Sequence, residues 1–456
     1  MARILIIGGG VAGLSAGITA LKHGHKTIIC EKHSVAGGNL TGWTRNGYHI
    51  DNCIHWLTGT NPNSDLYTLW QEIGALDSVG VYQSENLYTC TKNGDTLSLF
   101  SDINLLERRM LALSAQDKKE ILAFIRAVKD FALISGIGGE NHDKKASIIQ
   151  YPTILSHLLP YYKMTTGELA NRFSHPLLQE FFVSLLGENF GAIAFLCVAS
   201  TFCFGNGGLP EGGSLAMAQR MASKFRNAGG EILLRKEAIK IETKNGQAVS
   251  VLFADGTQIR ADYIILTQDP SAVFGKMLKA DMPSQLKACY NNKKMQRFSA
   301  FQTAFACDLP SLPFSGDFIF ELPVNLRKII GAKRLVLREF SHEPSFAPSN
   351  CNVLQSLTFC NENTCKNLIE LHEKDRYVYD KTKQNFADAV MQATVKQFPT
   401  LDGHLRLLDV WTPATYRKFT NAEIGSFMSF TFPSRLIPRR LDNRIKGIEN
   451  VIMASQ

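Results

Sequence analysis

The chain has 456 residues, of which 45% are apolar and 20% charged, and its formal net charge is +8. This length can bury a large core and predicts more than one domain, and the composition excludes a disordered or fibrous protein. The lysines and arginines are spread along the chain, so we do not expect nucleic acid as a partner. Contact with anionic lipid head groups stays open, beside a purely solvating role for the charge.

Cysteines and apolar runs indicate the compartment. The ten cysteines lack C-x-x-C pairs and zinc-ligand spacing, which favours reduced thiols in a cytoplasmic protein and gives no reason to expect a metal. The apolar N-terminus is interpreted as a first strand and not as a signal peptide, because a glycine turn and a second strand follow it directly. The longest apolar run, residues 190–205, falls short of the roughly 20 residues of a membrane span and predicts a buried helix.

The first 39 residues predict a strand, a glycine turn, a helix and a second strand. The apolar residues 4–7 are followed by Gly8, Gly10 and Gly13, the G-x-G-x-x-G spacing of a dinucleotide-binding unit. The first glycine lets the chain turn sharply, the second leaves room for a pyrophosphate, and the third lets the helix pack close to the strand.

Hydrogen-bonding groups around this turn complete the predicted nucleotide site. Backbone N–H groups at Val11 and Ala12, at the start of the helix, are expected to face the phosphates together with the helix dipole. The second strand ends at Glu31, whose carboxylate can accept hydrogen bonds from the ribose hydroxyls of an adenosine. An ordinary surface glutamate is the alternative interpretation of Glu31.

The next stretch carries a family resemblance. Lys32 is followed by Gly37-Gly38-Asn39 and then by GYHIDNCIHWLTG at residues 47–59. This pattern resembles the FAD-dependent phytoene-desaturase and carotenoid-isomerase-like oxidoreductases, which are relatives of the amine oxidases. The resemblance implies that Gly37 and Gly38 lie over the pyrophosphate and ribitol of FAD, and it assigns Lys32 and Asn39 to the same site. Relatives usually carry an arginine where this chain has Asn39.

Three side chains of residues 47–59 are predicted to be catalytic: His49, Asp51 and His55. The resemblance brings this run near the flavin, and Cys53 lies in it as well. Desaturation or saturation of a C–C bond moves a proton as well as a hydride, so an acid or base is needed. The alternative is that His49 and Asp51 tie the loop together by hydrogen bonds.

The middle of the chain alternates between helical and strand patterns. Residues 82–100 predict a hairpin around Asn93-Gly94, and capping boxes at Ser114 and Thr165 predict helices that cover a substrate. A helix is expected over residues 215–227. The turns Asn245-Gly246 and Asp255-Gly256 then predict a β-meander before an apolar strand.

The meander and the strand after it resemble the second signature of two-lobed flavoproteins. In that family the preceding strand, at residues 232–234, and its continuation lie beside the adenosine, which makes the backbone of Ala238 a cofactor contact. Residues 298–305, 335–340 and 353–359 predict strands of a substrate-domain sheet. Residues 447–456 resemble the last nucleotide-domain strand, which in relatives runs on into a glycine-rich turn. Gln456 is therefore assigned to the cofactor site, and we expect the sequence to be truncated there. A protein that lacks part of the flavin site is the alternative.

These observations predict an α/β fold in two domains. A Rossmann-like FAD-binding domain with a β-meander takes residues 1–75, 207–280 and 431–456, the last part being incomplete. A second, α+β substrate domain takes the largely helical residues 76–206 together with residues 281–430.

The expected protein is an FAD-dependent oxidoreductase that desaturates, saturates or isomerises an apolar polyene or a related lipid. Amine-oxidase-like C–N oxidation, a non-catalytic FAD-binding or lipid-binding protein, and a nicotinamide-only dehydrogenase are the alternatives. We expect the protein in the cytoplasm, with peripheral membrane association open, and the sequence does not indicate an electron acceptor.

Overall fold

The computed structural model describes residues 1–135, 151–428, 430–431, 434 and 443–454. In chain order, the strands in these residues are β1 (Arg3–Ile7), β2 (Lys26–Cys30), β3 (Gly42–Arg45), β4 (Tyr48–Asp51), β5 (Leu57–Thr58), β6 (Val81–Tyr82), β7 (Asn86–Lys92), β8 (Asp95–Phe100), β9 (Gly207–Pro210), β10 (Glu231–Leu233), β11 (Ala238–Lys244), β12 (Gln247–Phe253), β13 (Gln258–Arg260), β14 (Tyr263–Leu266), β15 (Ser299–Cys307), β16 (Asp317–Glu321), β17 (Arg334–Glu339), β18 (Asn352–Cys360), β19 (Leu405–Trp411), β20 (Arg444–Ile445) and β21 (Ile448–Met453).

The helices of the same residues are α1 (Val11–Lys22), α2 (Asp65–Glu72), α3 (Ile103–Leu113), α4 (Lys118–Ser135), α5 (Tyr151–Lys163), α6 (Thr166–Ala170), α7 (Pro176–Ser184), α8 (Ala192–Cys203), α9 (Gly213–Asn227), α10 (Pro270–Val273), α11 (Ser284–Asn291), α12 (Val324–Ile330), α13 (Glu362–Lys374), α14 (Arg376–Gln397) and α15 (Pro413–Thr420). In this part of the chain, no helix has both the length and the apolar character needed to cross a bilayer.

A six-stranded sheet in the order β10-β2-β1-β14-β21-β20 forms the first lobe, and its strands are parallel except for the β20–β21 pair. Its central strand β1 is apolar throughout its buried length because both faces are covered. Ile4 and Ile6 pack against α1 and α9 on one face, whereas Leu5 and Ile7 pack against the β11–β12 meander on the other.

The meander joins β11, β12 and β13 in antiparallel order. Its first turn is the predicted Asn245-Gly246 pair, in which both residues have positive φ angles of 51° and 75°. This conformation is the one in which an Asn-Gly pair suits a two-residue hairpin.

A seven-stranded sheet in the order β19-β15-β18-β17-β16-β7-β8 forms the second lobe. All its neighbouring strands are antiparallel except β16 and β7, which run parallel. The helices α4, α7 and α8 cover one face of this sheet around Phe124, Phe181 and Phe195. Helix α14 packs on the other face through Phe386 and Val390.

The α/β fold with a Rossmann-like lobe and an α+β lobe is therefore confirmed. The hairpin at Asn93-Gly94 joins β7 to β8, and the capping box at Thr165 forms with Glu168 at the start of α6. The domain boundaries themselves stay a prediction.

The predicted capping box at Ser114 forms only one of its two hydrogen bonds. Ser114 Oγ accepts a hydrogen bond from the N–H of Asp117, but the Ser114 N–H donates to the carbonyl of Met110. The Asp117 carboxylate instead accepts hydrogen bonds from the backbone N–H groups of Ser174 and His175. A tertiary contact has therefore replaced the local one, because the carboxylate joins the start of α4 to the start of α7.

Candidate cofactor and substrate site

A cavity of about 440 Å³ opens at the carboxyl ends of β1, β2 and β14. Ile7, Cys30 and Thr267, at or just beyond these strand ends, are among its lining residues. In open parallel sheets, ligands bind in the crevice outside this edge. The cavity therefore lies where the sequence predicts a nucleotide.

The three glycines of the first turn serve two different purposes. A Cβ atom on Gly13 would lie 2.0 Å from the carbonyl oxygen of Gly8, so Gly13 is required for helix packing. A Cβ atom on Gly10 would have no neighbour closer than the Gly37 oxygen at 3.7 Å, so the fold itself has room for it. Gly8 and Gly10 line the cavity together with Val11 and Ala12, whereas Gly13 is not among the lining residues.

The second glycine pair faces the first turn. The Gly37 N–H donates to the carbonyl of Gly9 at 2.8 Å, and a Cβ atom on Gly38 would lie 3.2 Å from the Gly10 Cα. Gly37 and Gly38 have φ angles of 142° and 62°, which favour glycine at both positions. Both line the cavity.

Glu31 is buried at the rim of the same cavity. Its Oε2 accepts a hydrogen bond from the Gly9 N–H at 2.7 Å, and its Oε1 accepts one from the His33 N–H at 2.8 Å. A carboxylate has about four acceptor positions, so two bonds leave capacity for ribose hydroxyls. These contacts fix Glu31 in place and argue against an ordinary surface glutamate.

Lys32, Asn39 and Ala238 also line the cavity. Burial lowers the pKa of Lys32, and the charges of Glu237 and Glu31 oppose this shift. Asn39 Nδ2 lies 3.4 Å from the Phe427 carbonyl oxygen, the contact that this chain makes where relatives usually have an arginine. Gln456 lies outside the described residues.

These residues suit a dinucleotide on two independent grounds. The α1 N-terminus begins at Gly10 without a capping side chain, so the N–H groups of its first turn are free for phosphate oxygens. Gln268 also lines the cavity, and its buried Oε1 atom has no hydrogen-bond partner among the described residues. A bound nucleotide would hydrogen-bond to both features. The contacts of individual residues with FAD remain predictions.

A second cavity of about 1230 Å³ adjoins the first. Cys53, Arg297, Phe427 and Met428 line both cavities, so the two meet at these residues. Its remaining apolar wall is formed by Trp56, Val183, Leu185, Leu186, Phe190, Phe298, Val336, Leu357 and Phe359. An apolar ligand held in the second cavity would therefore approach a ligand held in the first.

An aromatic cluster lies where the cavities meet. The Phe298 ring lies edge-on to Phe359 and Phe427, with ring centroids 5.1 and 5.9 Å away. Phe359 and Phe427 are nearly parallel, with centroids 6.3 Å apart. Burial raises the pKa of the nearby Cys53 thiol to about 12, which keeps it uncharged at neutral pH. The junction is thus apolar on this side.

Arg297 is the buried cation of the junction, and the sequence did not indicate it. Its guanidinium donates to Glu423 at 2.9 Å and to Glu362 at 3.1 Å. Burial by itself lowers its pKa, but hydrogen bonds and charges from Glu423 and Glu362 outweigh this and raise it. The two partners lie 126 and 65 residues further along the chain, so no local motif could have revealed the arrangement.

The three predicted catalytic residues occupy different places. His55 lines the larger cavity, and its Nδ1 lies 3.1 Å from Oδ2 of Asp317. Asp317 Oδ1 also lies 3.6 Å from Nε of Arg338. His55 is thus held by a buried carboxylate and faces the space in which a substrate would lie.

His49 and Asp51 are not among the residues that line either cavity. Asp51 accepts hydrogen bonds from the N–H and the hydroxyl of Ser214, both at 2.6 Å, which ties β4 to the start of α9. His49 packs its ring 4.3 Å from Phe346, and its Nε2 is buried without a partner. Burial lowers the pKa of His49. These positions favour structural roles and leave His55 as the catalytic candidate of the three.

The parallel sheet, the glycine turn and the paired cavities define a two-lobed dinucleotide-binding protein of the flavoprotein type. The chain belongs to the flavin containing amine oxidoreductase family, whose sequence profile matches residues 11–301. It is an FAD-dependent oxidoreductase, and the predicted cofactor and enzyme class are confirmed. In the described residues, no three His, Cys, Asp or Glu side chains converge to hold a metal ion.

Carotenoid enzymes are among its relatives. The chain is 23% identical to prolycopene isomerase 1 of an Oncidium hybrid cultivar, over 93% of this chain and 74% of the relative. It is 22% identical to 4,4'-diaponeurosporene oxygenase of Staphylococcus aureus strain MW2, over 94% of this chain and 88% of the relative. The solved structure of an oxidoreductase from Methanosarcina mazei shares the fold, with a TM-score of 0.63, 18% identity, and coverage of 99% of this chain and 94% of that one.

Proposed function

We propose that this protein acts on the C–C bonds of an apolar polyene or a related lipid, by desaturation, saturation or isomerisation. The observation that carries the proposal is the cavity of about 1230 Å³, which has an extended apolar wall and a charged rim and meets the cofactor cavity at Phe427 and Met428. Its volume exceeds the roughly 300 to 1,000 Å³ of common ligand pockets, which suits a long substrate. The names of the two carotenoid relatives agree with this substrate class.

FAD, when bound, would supply two-electron transfer. The glycine turn and Glu31 would hold its phosphates and ribose. Phe298 and Phe427 would give a polyene an apolar aromatic surface at the junction. Position and an apolar environment are therefore the main contributions of the protein to a hydride transfer.

His55 handles the proton in this proposal. Asp317 accepts a hydrogen bond from Nδ1 of the ring, which leaves Nε2 as the atom that takes up or returns a substrate proton. The Asp317 carboxylate fixes the ring orientation and stabilises the charged imidazolium once the proton has arrived. This assignment explains why a polar pair persists beside a largely apolar cavity.

An apolar substrate also bears on partners and location. Polyenes reside in lipid, so we propose a peripheral contact of the protein with a membrane surface. The electron acceptor that reoxidises the flavin is left open, because its identity depends on partners rather than on this cavity.

Product analysis tests the proposal against its alternatives. Purified protein is incubated with a polyene or with a polyamine. The products are separated by chromatography, and their masses are measured by mass spectrometry. We expect a polyene product that has lost or gained two hydrogens, or an isomer of unchanged mass, and no product from polyamines. Oxidised polyamine would instead support C–N oxidation. Binding of polyene without any product would support a non-catalytic protein.

A further inference from the structure

One flank of helix α5 is an apolar stripe, although it faces solvent. Ile154, Leu158 and Tyr161 point inwards and pack in the helical core of the second lobe. On the flank next to this buried face, Leu155 is 54% exposed and Leu159 48% exposed, one helical turn apart. Tyr151 continues the stripe by one turn at 41% exposure. The spacing of these three residues by four places them in one continuous exposed apolar stripe along the helix.

This stripe ends at the mouth of the larger cavity. Lys163, the last residue of α5, lines that cavity together with Lys293 and Lys294, and all three lysines are exposed. Among the described residues, none of the three has an ion pair. The other exposed rim charge without a salt bridge in these residues is Glu168, whose carboxylate is engaged in the α6 capping box. The rim therefore carries a net positive charge beside an apolar helix face.

We propose that this surface, Tyr151, Leu155 and Leu159 with Lys163, Lys293 and Lys294, docks on an anionic lipid bilayer. An apolar stripe bordered by lysines matches the boundary between acyl chains and anionic head groups. Two observations favour lipid as the partner. The lysines complement anionic head groups, and docking through the stripe would turn the cavity mouth towards the bilayer, in which a polyene dissolves. The inference rests on the proposed function, since docking at this mouth is useful for a lipid-borne substrate.

Vesicle flotation tests the docking surface with matched controls. Vesicles of phosphatidylcholine, with or without phosphatidylglycerol, are mixed with the full-length holoprotein, and bound protein is measured after flotation. The apolar test is Leu159→Gln against Leu69→Gln on α2, because both leucines are 48% exposed. The charge test is Lys293→Gln with Lys294→Gln against Lys276→Gln with Lys279→Gln, two pairs of exposed lysines.

We expect binding that requires phosphatidylglycerol. Leu159→Gln should reduce the partition coefficient about ten-fold and the Lys293/Lys294 pair about twenty-fold, while both controls bind as wild type does. Equal binding by the Leu159→Gln and Leu69→Gln variants would overturn the proposal. The proposal would also be overturned if light scattering showed a dimeric wild type and a monomeric Leu159→Gln variant, because a second copy of the chain would then cover the stripe.

A separate assay keeps the docking surface distinct from the proposed function. Conversion of a polyene presented in detergent micelles should be the same in Leu159→Gln and in wild type, whereas conversion of a vesicle-borne polyene should fall with binding. Loss of conversion in both presentations would contradict a docking role for Leu159. A wild type that floats with vesicles but converts no polyene would contradict the proposed function and leave the docking surface standing.

Discussion

Gly10 and Gly13 should respond differently to the same substitution. Gly10→Ala puts a methyl group into the cavity without a clash in the protein, so we expect folded protein whose Kd for FAD rises at least about ten-fold, or about 1.4 kcal/mol. Gly13→Ala drives its Cβ against the Gly8 carbonyl and should cost about 3 kcal/mol of stability. Urea unfolding of the apoproteins and fluorescence titration with FAD measure the two effects.

The contrast between the variants is the critical result. If Gly10→Ala binds FAD as wild type does, phosphates do not approach the turn at Gly10. If both variants lose the same free energy of unfolding, the fold does not have the space for a Cβ atom at Gly10 that the distances indicate.

His55 and His49 provide a second comparison at single residues. His55→Gln should slow substrate-dependent flavin reduction about a hundred-fold, because it removes the proton acceptor while FAD stays bound. His49→Gln should leave that rate close to the wild-type value, since His49 lines neither cavity. Anaerobic stopped-flow spectroscopy across pH provides the measurement, and equal rate losses in the two variants would contradict the assignment of His55.

The glycine motif could be predicted because it lies within one short stretch of sequence. Most of the other residues around the two cavities could not be predicted. Glu31 was identified from its place at the end of the second predicted strand. Gln268, Asp317 and Arg297 carry no motif, since each owes its position to strands and loops from distant segments. Sequence spacing likewise could not tell that His49 points away from the cavities while His55 faces one of them.

At the scale of elements, the start of α9 depends on Asp51. Its carboxylate binds the N–H and hydroxyl of Ser214 and receives the Cys53 N–H at 3.2 Å. Asp51→Ala leaves these buried donors without partners, so we expect a loss of about 3 kcal/mol in the free energy of unfolding. Urea unfolding measures it, with Asp51→Asn as the milder control. A stability loss below about 1 kcal/mol would show that α9 does not need this cap.

The junction of α4 and α7 predicts a pH effect. Burial alone would raise the pKa of Asp117, but hydrogen bonds from Ser174, Ser114 and His175 outweigh it and lower the pKa. A lowered folded-state pKa means that the stabilisation is present above the unfolded value near 3.9 and is lost as pH falls through the folded value. The wild type should thus lose stability more steeply than Asp117→Asn below about pH 4, in urea unfolding at a series of pH values. Parallel pH dependences would contradict this.

Turns were the elements most readily predicted. Asn93-Gly94 and Asn245-Gly246 require backbone conformations that few other pairs adopt, so their sequence and geometry agree. Strand β16 was missed, because five residues with acidic ends give little periodicity and its pairing with β7 spans the chain. The amphipathic pattern of residues 386–397 covers only the second part of α14, which begins ten residues earlier, at Arg376, where the Asp375 side chain caps it.

At the scale of the whole molecule, each lobe is assembled from separated stretches of chain. The parallel sheet takes strands from residues 3–30, 231–266 and 444–453, and the large mixed sheet takes strands from residues 86–100 and 299–411. The sequence indicated this interleaving through two nucleotide-domain patterns separated by a helical block. The two cavities meet at side chains that come from several of these stretches. A local sequence pattern could not have predicted that these side chains lie together.

The central claim is that FAD and an apolar substrate share one site, formed where the two cavities meet. The most direct test is the visible spectrum of the purified protein under anaerobic conditions, before and after a polyene is added. We predict a flavin spectrum, with FAD released on heating, that the polyene bleaches or shifts while polyamines leave it unchanged. A yellow protein whose spectrum no polyene perturbs, or a colourless protein that takes up no FAD, would contradict the account.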